Sequence, residues 1–161
     1  MTLPLERSGE FLRFLLQAKR HTYASQGDEA TVSPLLAGSK QLEWQEGDWL
    51  YRDIYFGMAY FVGQETVSYQ QIPLWSMSYA GGVSASITST VQISQIYRFL
   101  RGAMQQVSPR HPLRGPQFWQ DEDYAYTDHY HGEIDAFWGH ETIHFQQKMV
   151  YELHYSGGFL R

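Results

Sequence analysis

The chain has 161 residues, a net charge of −5 and no cysteine. That length suits one domain, residues 1–161, and the missing cysteines exclude disulfides, thiolate metal sites and thiol nucleophiles. The charges are scattered with no run rich in Lys or Arg, which argues against direct nucleic-acid binding, and no apolar stretch approaches the ~20 residues needed to span a bilayer. Residues 1–10 lack the basic and then apolar regions of a signal peptide, so a cytoplasmic location is expected. Aromatic residues make up 16 % of the chain (12 Tyr, 9 Phe, 5 Trp). That is enough for a core with rings to spare for a ligand surface.

Phe11, Leu12, Phe14, Leu15, Leu16 and Ala18 recur at helical spacing, with Glu10, Arg13, Gln17 and Lys19 on the other side. With Ser8 as N-cap, this predicts a helix over 8–20. Residues 21–41 carry the breaker pairs Gly27-Asp28, Ser33-Pro34 and Gly38-Ser39. They read as a long connection, either a functional lid or a loop wrapping a sheet.

From Trp44 onward the chain repeats itself. Trp44-Gln45, Asp48, Tyr51, Asp53, Tyr55 and Gly57 recur at an offset of 75 as Trp119-Gln120, Asp123, Tyr126, Asp128, Tyr130 and Gly132. One inserted residue makes the offset 76. Phe61, Gly63, Glu65-Thr66, Gln70-Gln71, Tyr79 and Gly81-Gly82 then fall on Phe137, Gly139, Glu141-Thr142, Gln146-Gln147, Tyr155 and Gly157-Gly158. These are 16 identities over residues 42–82, where unrelated segments share about two or three. Such self-similarity is the mark of an internal duplication.

Within the first copy, alternation predicts strands over 49–56, 60–69 and 73–79, with a turn at Gln70-Gln71. Ile93, Ile96, Tyr97, Leu100, Met104 and Val107 share one helical face and predict a helix over 90–107. Its Arg98-Phe99-Leu100 resembles Arg13-Phe14-Leu15, which extends the repeat to the helices. Residues 108–116, with three prolines, form a connector. The second copy gives strands over 124–131, 136–145 and 150–155. The expected fold is therefore α+β, an internally duplicated αβββ-αβββ in which an antiparallel sheet packs with two helices. Its halves are about 8–82 and 90–158.

Strand side chains alternate, so Tyr51, Asp53 and Tyr55 share one face, as do Tyr126, Asp128 and Tyr130. Glu65 and Glu141 join them from the second strand of each copy. Carboxylates among tyrosines are costly unless satisfied. One reading has them bonded internally by tyrosine hydroxyls or backbone. The other has these residues, with Trp75, Tyr79 and Tyr155, line a cleft between the halves that holds a basic or hydroxylated small molecule.

His140-Glu141-Thr142-Ile143-His144 matches the H-E-x-x-H pattern of zinc proteases. That pattern works on a helix, where both imidazoles reach one ion. On the strand expected here, positions four apart lie about 13 Å apart. A softer metal reading remains, because His129, His131, His140, His144 and His154 all occupy positions that differ from the first copy. Two or three of them, with Glu152 or Glu133, could converge across neighbouring strands in registers the sequence does not fix. No Ser-His-Asp or phosphate-cradling pattern is present, and no cofactor is expected.

The stretch Phe11-Leu12-Arg13-Phe14-Leu15-Leu16-Gln17-Ala18-Lys19-Arg20 with Thr22-Tyr23-Ala24 resembles the opening of domain of unknown function 5680, a bacterial family. So do Tyr51-Arg52-Asp53 with Tyr55-Phe56-Gly57, and Phe61-Val62-Gly63 with Glu65. Trp75-Ser76-Met77-Ser78-Tyr79 and Val150-Tyr151-Glu152-Leu153 with Tyr155-Ser156-Gly157-Gly158 complete the resemblance. It implies a stand-alone domain or one that is the C-terminal partner of XRE-type helix-turn-helix regulators, and it brings no catalytic residues. With Met1 close to the first helix, the stand-alone form is expected. The resemblance favours a sensor role. Three functions stay open: a small-molecule-binding or sensor domain, a metal-dependent enzyme built on the second-copy histidines, and an interaction module or homodimer pairing through open strand edges.

Overall fold

The computed structural model describes residues 8–25 and 31–161; the Gly27-Asp28 pair lies outside the described residues. Helix α1 (Ser8–His21) is followed by strands β1 (Thr31–Val32), β2 (Lys40–Glu46), β3 (Trp49–Gly57), β4 (Tyr60–Tyr69) and β5 (Ile72–Val83). Helix α2 (Thr90–Met104) then leads to β6 (Phe118–Asp121), β7 (Tyr124–Glu133), β8 (Ala136–Phe145) and β9 (Lys148–Phe159). The fold is α+β. Its strands form one antiparallel sheet in the order β1-β2-β3-β4-β5-β9-β8-β7-β6. Ahead of the three strands expected in each half, the first gains β1 and β2 and the second gains β6.

The meanders correspond position by position. Asp53 pairs with Glu65, and Asp128 with Glu141. A bulge falls between Val67 and Ser68, and another between Ile143 and His144. Gln70-Gln71 and Gln146-Gln147 each have positive φ at both residues, the geometry of the hairpin turn that matches strand twist. Gln70 and Gln146 donate through Nε2 to Asp48 (2.9 Å) and Asp123 (3.2 Å). These repeated polar residues therefore hold turns. The meanders meet where β5 pairs with β9 and Tyr79 lies opposite Tyr155.

Both helices cover one face of the sheet. Phe11 of α1 packs on Trp49, Trp75 and Phe159, and Phe99 of α2 on Trp119 and Tyr124. Inward residues such as Tyr51, Val67, Trp75, Met77, Ile143 and Leu153 are fully buried. The other face carries Phe56, Val62, Trp138, Glu152 and His154, all exposed. Ser89 caps α2 by accepting from Gln92 N–H. One helical assignment changes: Lys19 lies on the buried side of α1. It stands four residues after Leu15 and eight after Phe11, on the stripe that faces the core.

Candidate functional site

Four carboxyl groups and two cations are enclosed between the sheet and the helices. Asp53, Glu65, Asp128 and Glu141 are at most 2 % exposed, Lys19 is 6 % and Arg114 3 %. Lys19 Nζ pairs with Glu65 Oε2. Arg114 grips Glu141 with two parallel donors, Nε at 3.1 Å and Nη2 at 2.7 Å, and its Nη1 lies 3.9 Å from Glu65 Oε1. Tyr126 and Tyr151 donate to the two oxygens of Glu141 at 2.6 and 2.8 Å. Tyr126 Oη also accepts from Gly115 N–H. The guanidinium of Arg114 lies near the rings of Tyr23 and Tyr79, 5.3 and 5.8 Å from their centres.

The aspartates are held differently. Tyr79 donates to Asp53 Oδ1 at 2.6 Å, and Tyr155 to Asp128 Oδ1 at 2.7 Å. Each Oδ2 is buried with no hydrogen-bond partner among the described residues. A carboxylate in such a place is costly, and a protonated carboxyl costs much less. Burial, then the neighbouring Glu65, pushes Asp53 up to about 7. Burial, then Glu141, does the same for Asp128. With both aspartates protonated, Glu65 and Glu141 balance Lys19 and Arg114, and the enclosed charge sums to zero. Burial pulls the Lys19 ammonium downward.

A pocket of about 450 Å³ opens beside this network. It lies between α2 and the β3–β4 turn. Tyr23, Tyr55 and Tyr79 line it on the network side, and Ile93, Tyr97 and Arg101 line it from α2, with Lys40, Met58 and Phe61. Tyr97 Oη donates to the carbonyls of Met58 (2.8 Å) and Ala59 (2.9 Å), fixing the turn to the helix. Lys40 Nζ lies 5.9 Å from the centre of the Tyr55 ring. Arg101 Nε is buried with no hydrogen-bond partner among the described residues. The charged lining is thus cationic. Behind Tyr23 a cavity of about 10 Å³ touches Lys19, Glu65 and Arg114, room for about one water.

The structure gathers Asp53, Glu65, Tyr79, Tyr126, Asp128, Glu141 and Tyr155 in the enclosed network, and buries Tyr51 with its hydroxyl unpartnered among the described residues. Tyr55 faces the pocket. Trp75 is core, its Nε1 donating to Ile134 O at 2.9 Å. Tyr130 donates to Arg110 O at 3.2 Å and lines a separate pocket of about 290 Å³ against the connector. Sequence reasoning missed Lys19, Arg114, Tyr151, Lys40, Tyr97 and Arg101. The signal for two of them was the charge itself, since enclosed carboxylates such as Glu65 and Glu141 demand cations nearby.

The H-E-x-x-H residues divide between the two faces of β8. Glu141 points into the core, held by Arg114, while His140 and His144 point outward. His131 stacks on Trp138. His129, His140 and His154 occupy one row, opposite one another on β7, β8 and β9. No helix among the described residues is long and apolar enough to cross a membrane.

The model of the family described as Domain of unknown function (DUF5680) matches residues 53–160, and the chain belongs to that family. Comparison with curated proteins and with solved structures gives no match.

Proposed function

For this member of the DUF5680 family we propose a small-molecule-binding, sensor-type role, with the ligand seated in the pocket between α2 and the β3–β4 turn. The observation that carries this reading is the Nε of Arg101, buried in the wall of a pocket of about 450 Å³ with no hydrogen-bond partner among the described residues. Buried donors are normally satisfied, and a ligand acceptor would satisfy this one. Lys40 supplies a second cation, and Met58, Phe61 and Ile93 supply apolar wall. The ligand class is therefore a small amphipathic acid, with an apolar or aromatic body and a carboxylate, sulfonate or phosphate group. This departs from the basic ligand suggested by the repeated carboxylates, because Lys19, Arg114 and tyrosine hydroxyls already occupy those groups. Tyr79 touches both pocket and network, so an occupant would act on the Asp53 bond. A cytoplasmic setting alongside a regulator suits this reading, as does a chain without cysteine.

The test uses 1-anilinonaphthalene-8-sulfonate, an aromatic body with one sulfonate, beside native mass spectrometry of freshly purified protein. Saturable one-to-one binding is expected. Arg101→Gln and the pocket-filling Ile93→Trp should each weaken it at least about tenfold, or about 1.4 kcal/mol, with the melting temperature little changed. Equal affinity in both variants would place the dye elsewhere and remove the proposal's support.

A further inference from the structure

We propose that His140, Glu152 and His154 form a divalent-metal site of the zinc class on the uncovered face of the sheet. The three residues offer donor atoms that all lie within 4.8 Å of one another. His140 Nε2 is 3.3 Å and His154 Nε2 4.0 Å from the same oxygen, Glu152 Oε2. A tetrahedral ion with bonds of about 2.1 Å separates its ligand atoms by about 3.4 Å. The donors therefore already converge on a point, and small rotations complete the set. The imidazoles now lie stacked, their centres 4.2 Å apart and their planes 12° from parallel. They must tilt for both ring planes to pass through one ion, and their exposure leaves room for that. The side chains of His140, Glu152 and His154 are 39, 50 and 69 % exposed, so an ion reaches them from solvent.

The backbone supplies this convergence where the H-E-x-x-H spacing does not. His140 lies directly opposite His154 across the β8–β9 ladder, which sets their Cβ atoms about 5 Å apart. Glu152 is two residues from His154 and shares its face. His129, opposite His140 on β7, stands within the same row.

The first half shows what the fold itself requires at these places. Gln64, Ser76 and Ser78 occupy the positions of His140, Glu152 and His154, and Gln64 Nε2 donates to Ser76 Oγ at 2.8 Å. A neutral polar cluster thus serves the sheet equally well. The second half carries a metal-ligating side chain at all three positions. Two imidazoles and one carboxylate leave a coordination position open, the pattern of catalytic zinc sites more than of structural ones. His154 also borders a groove of about 900 Å³ running over the uncovered face past Gln64, Thr66 and Ser78, so a ligand of the ion has space beside it.

The experiment is titration of metal-free full chain with Zn²⁺ by calorimetry, and with Co²⁺ followed through its visible absorption. One ion per chain is expected, with cobalt bands of a four- or five-coordinate site. His140→Ala and His154→Ala should each weaken binding at least about tenfold. His131→Ala and His144→Ala, on the same face but in other rows, should leave it unchanged. All four side chains point outward, so circular dichroism should report folded protein throughout. Lack of saturable binding, or affinity equal in parent, His140→Ala and His154→Ala, would overturn the assignment.

Discussion

Tyr79 and Tyr155 lie opposite one another on β5 and β9, the strands that join the two meanders. Each ring crosses a glycine on the next strand to reach an aspartate one strand farther on. Tyr79 passes over Gly63 to Asp53, and Tyr155 over Gly139 to Asp128. The repeated glycines and the repeated tyrosine–aspartate bonds are therefore one device, since the bond needs the space that the missing Cβ leaves.

A methyl group at Gly63 would lie 2.3 Å from Tyr79 Oη and 2.6 Å from Tyr55 Cβ, and at Gly139 2.3 Å from Tyr155 Cζ. Gly63→Ala and Gly139→Ala should each cost about 1–3 kcal/mol in urea unfolding, as overpacked cores do. Gly9→Ala, with nothing within 4 Å, should be neutral or slightly stabilising because it lies in a helix. Equal behaviour of the three variants would remove the close-approach explanation.

The aspartates set a pH dependence of unusual sign. Their folded values, about 7, stand above the ordinary 3.8. The native state then holds more protons than the unfolded chain between those limits, so stability is greatest on the acid side and falls as pH rises toward 7. Each aspartate contributes a slope of up to about 1.4 kcal/mol per pH unit. Unfolding free energies should therefore decline from about pH 5 to about pH 7 and then level. Asp53→Asn and Asp128→Asn should each flatten the curve, and at alkaline pH neither should be less stable than the parent. Stability that rises over that interval would mean the aspartates are charged and paired in the fold.

Much of this architecture was legible beforehand. Strands β4 and β8 run over the predicted residues, because period-two alternation is strong in Phe61-Val62-Gly63-Gln64-Glu65 and its counterpart. The repeat also placed the aspartates and glutamates on one face. Strand β2 was harder to read, since Gln41, Glu43 and Glu46 give it a polar look although Gln41 is buried. The cations escaped for a physical reason. A lysine on a helical wheel is ordinarily solvent-facing, and Arg114 sits in an irregular proline-flanked connector where no periodicity exists. The convergence of His140 with His154 depends on the β8–β9 register, which alternation alone leaves open.

Arg114 is the cation whose loss should cost most. Replaced by Met, it leaves Glu141 enclosed with two tyrosine donors and no counter-charge. Breaking a buried pair from one side typically costs about 3–5 kcal/mol. The double variant Arg114→Met, Glu141→Gln should regain most of that, since Gln still accepts from a tyrosine and carries no charge. Urea unfolding of the two single variants and the double gives the coupling directly. A double variant as unstable as the sum of the singles would show that the groups act independently.

The pocket wall makes a separate, local prediction. Tyr97→Phe removes the hydroxyl that ties α2 to the carbonyls of Met58 and Ala59. Ala59 O keeps the bond from Val83 N–H at 2.7 Å, so the expected global cost is only about 1 kcal/mol. The local effect should be larger. Amide exchange in the β3–β4 turn should accelerate, while the turn between β7 and β8, where Asp135 O accepts from Phe159 N–H, should exchange as before. Dye affinity should fall with it, because a loosened turn must be re-ordered on binding. Unchanged exchange at residues 58–60 would mean that the hydroxyl does not hold this wall, and that the pocket keeps its shape through the packing of Phe61 on Tyr97.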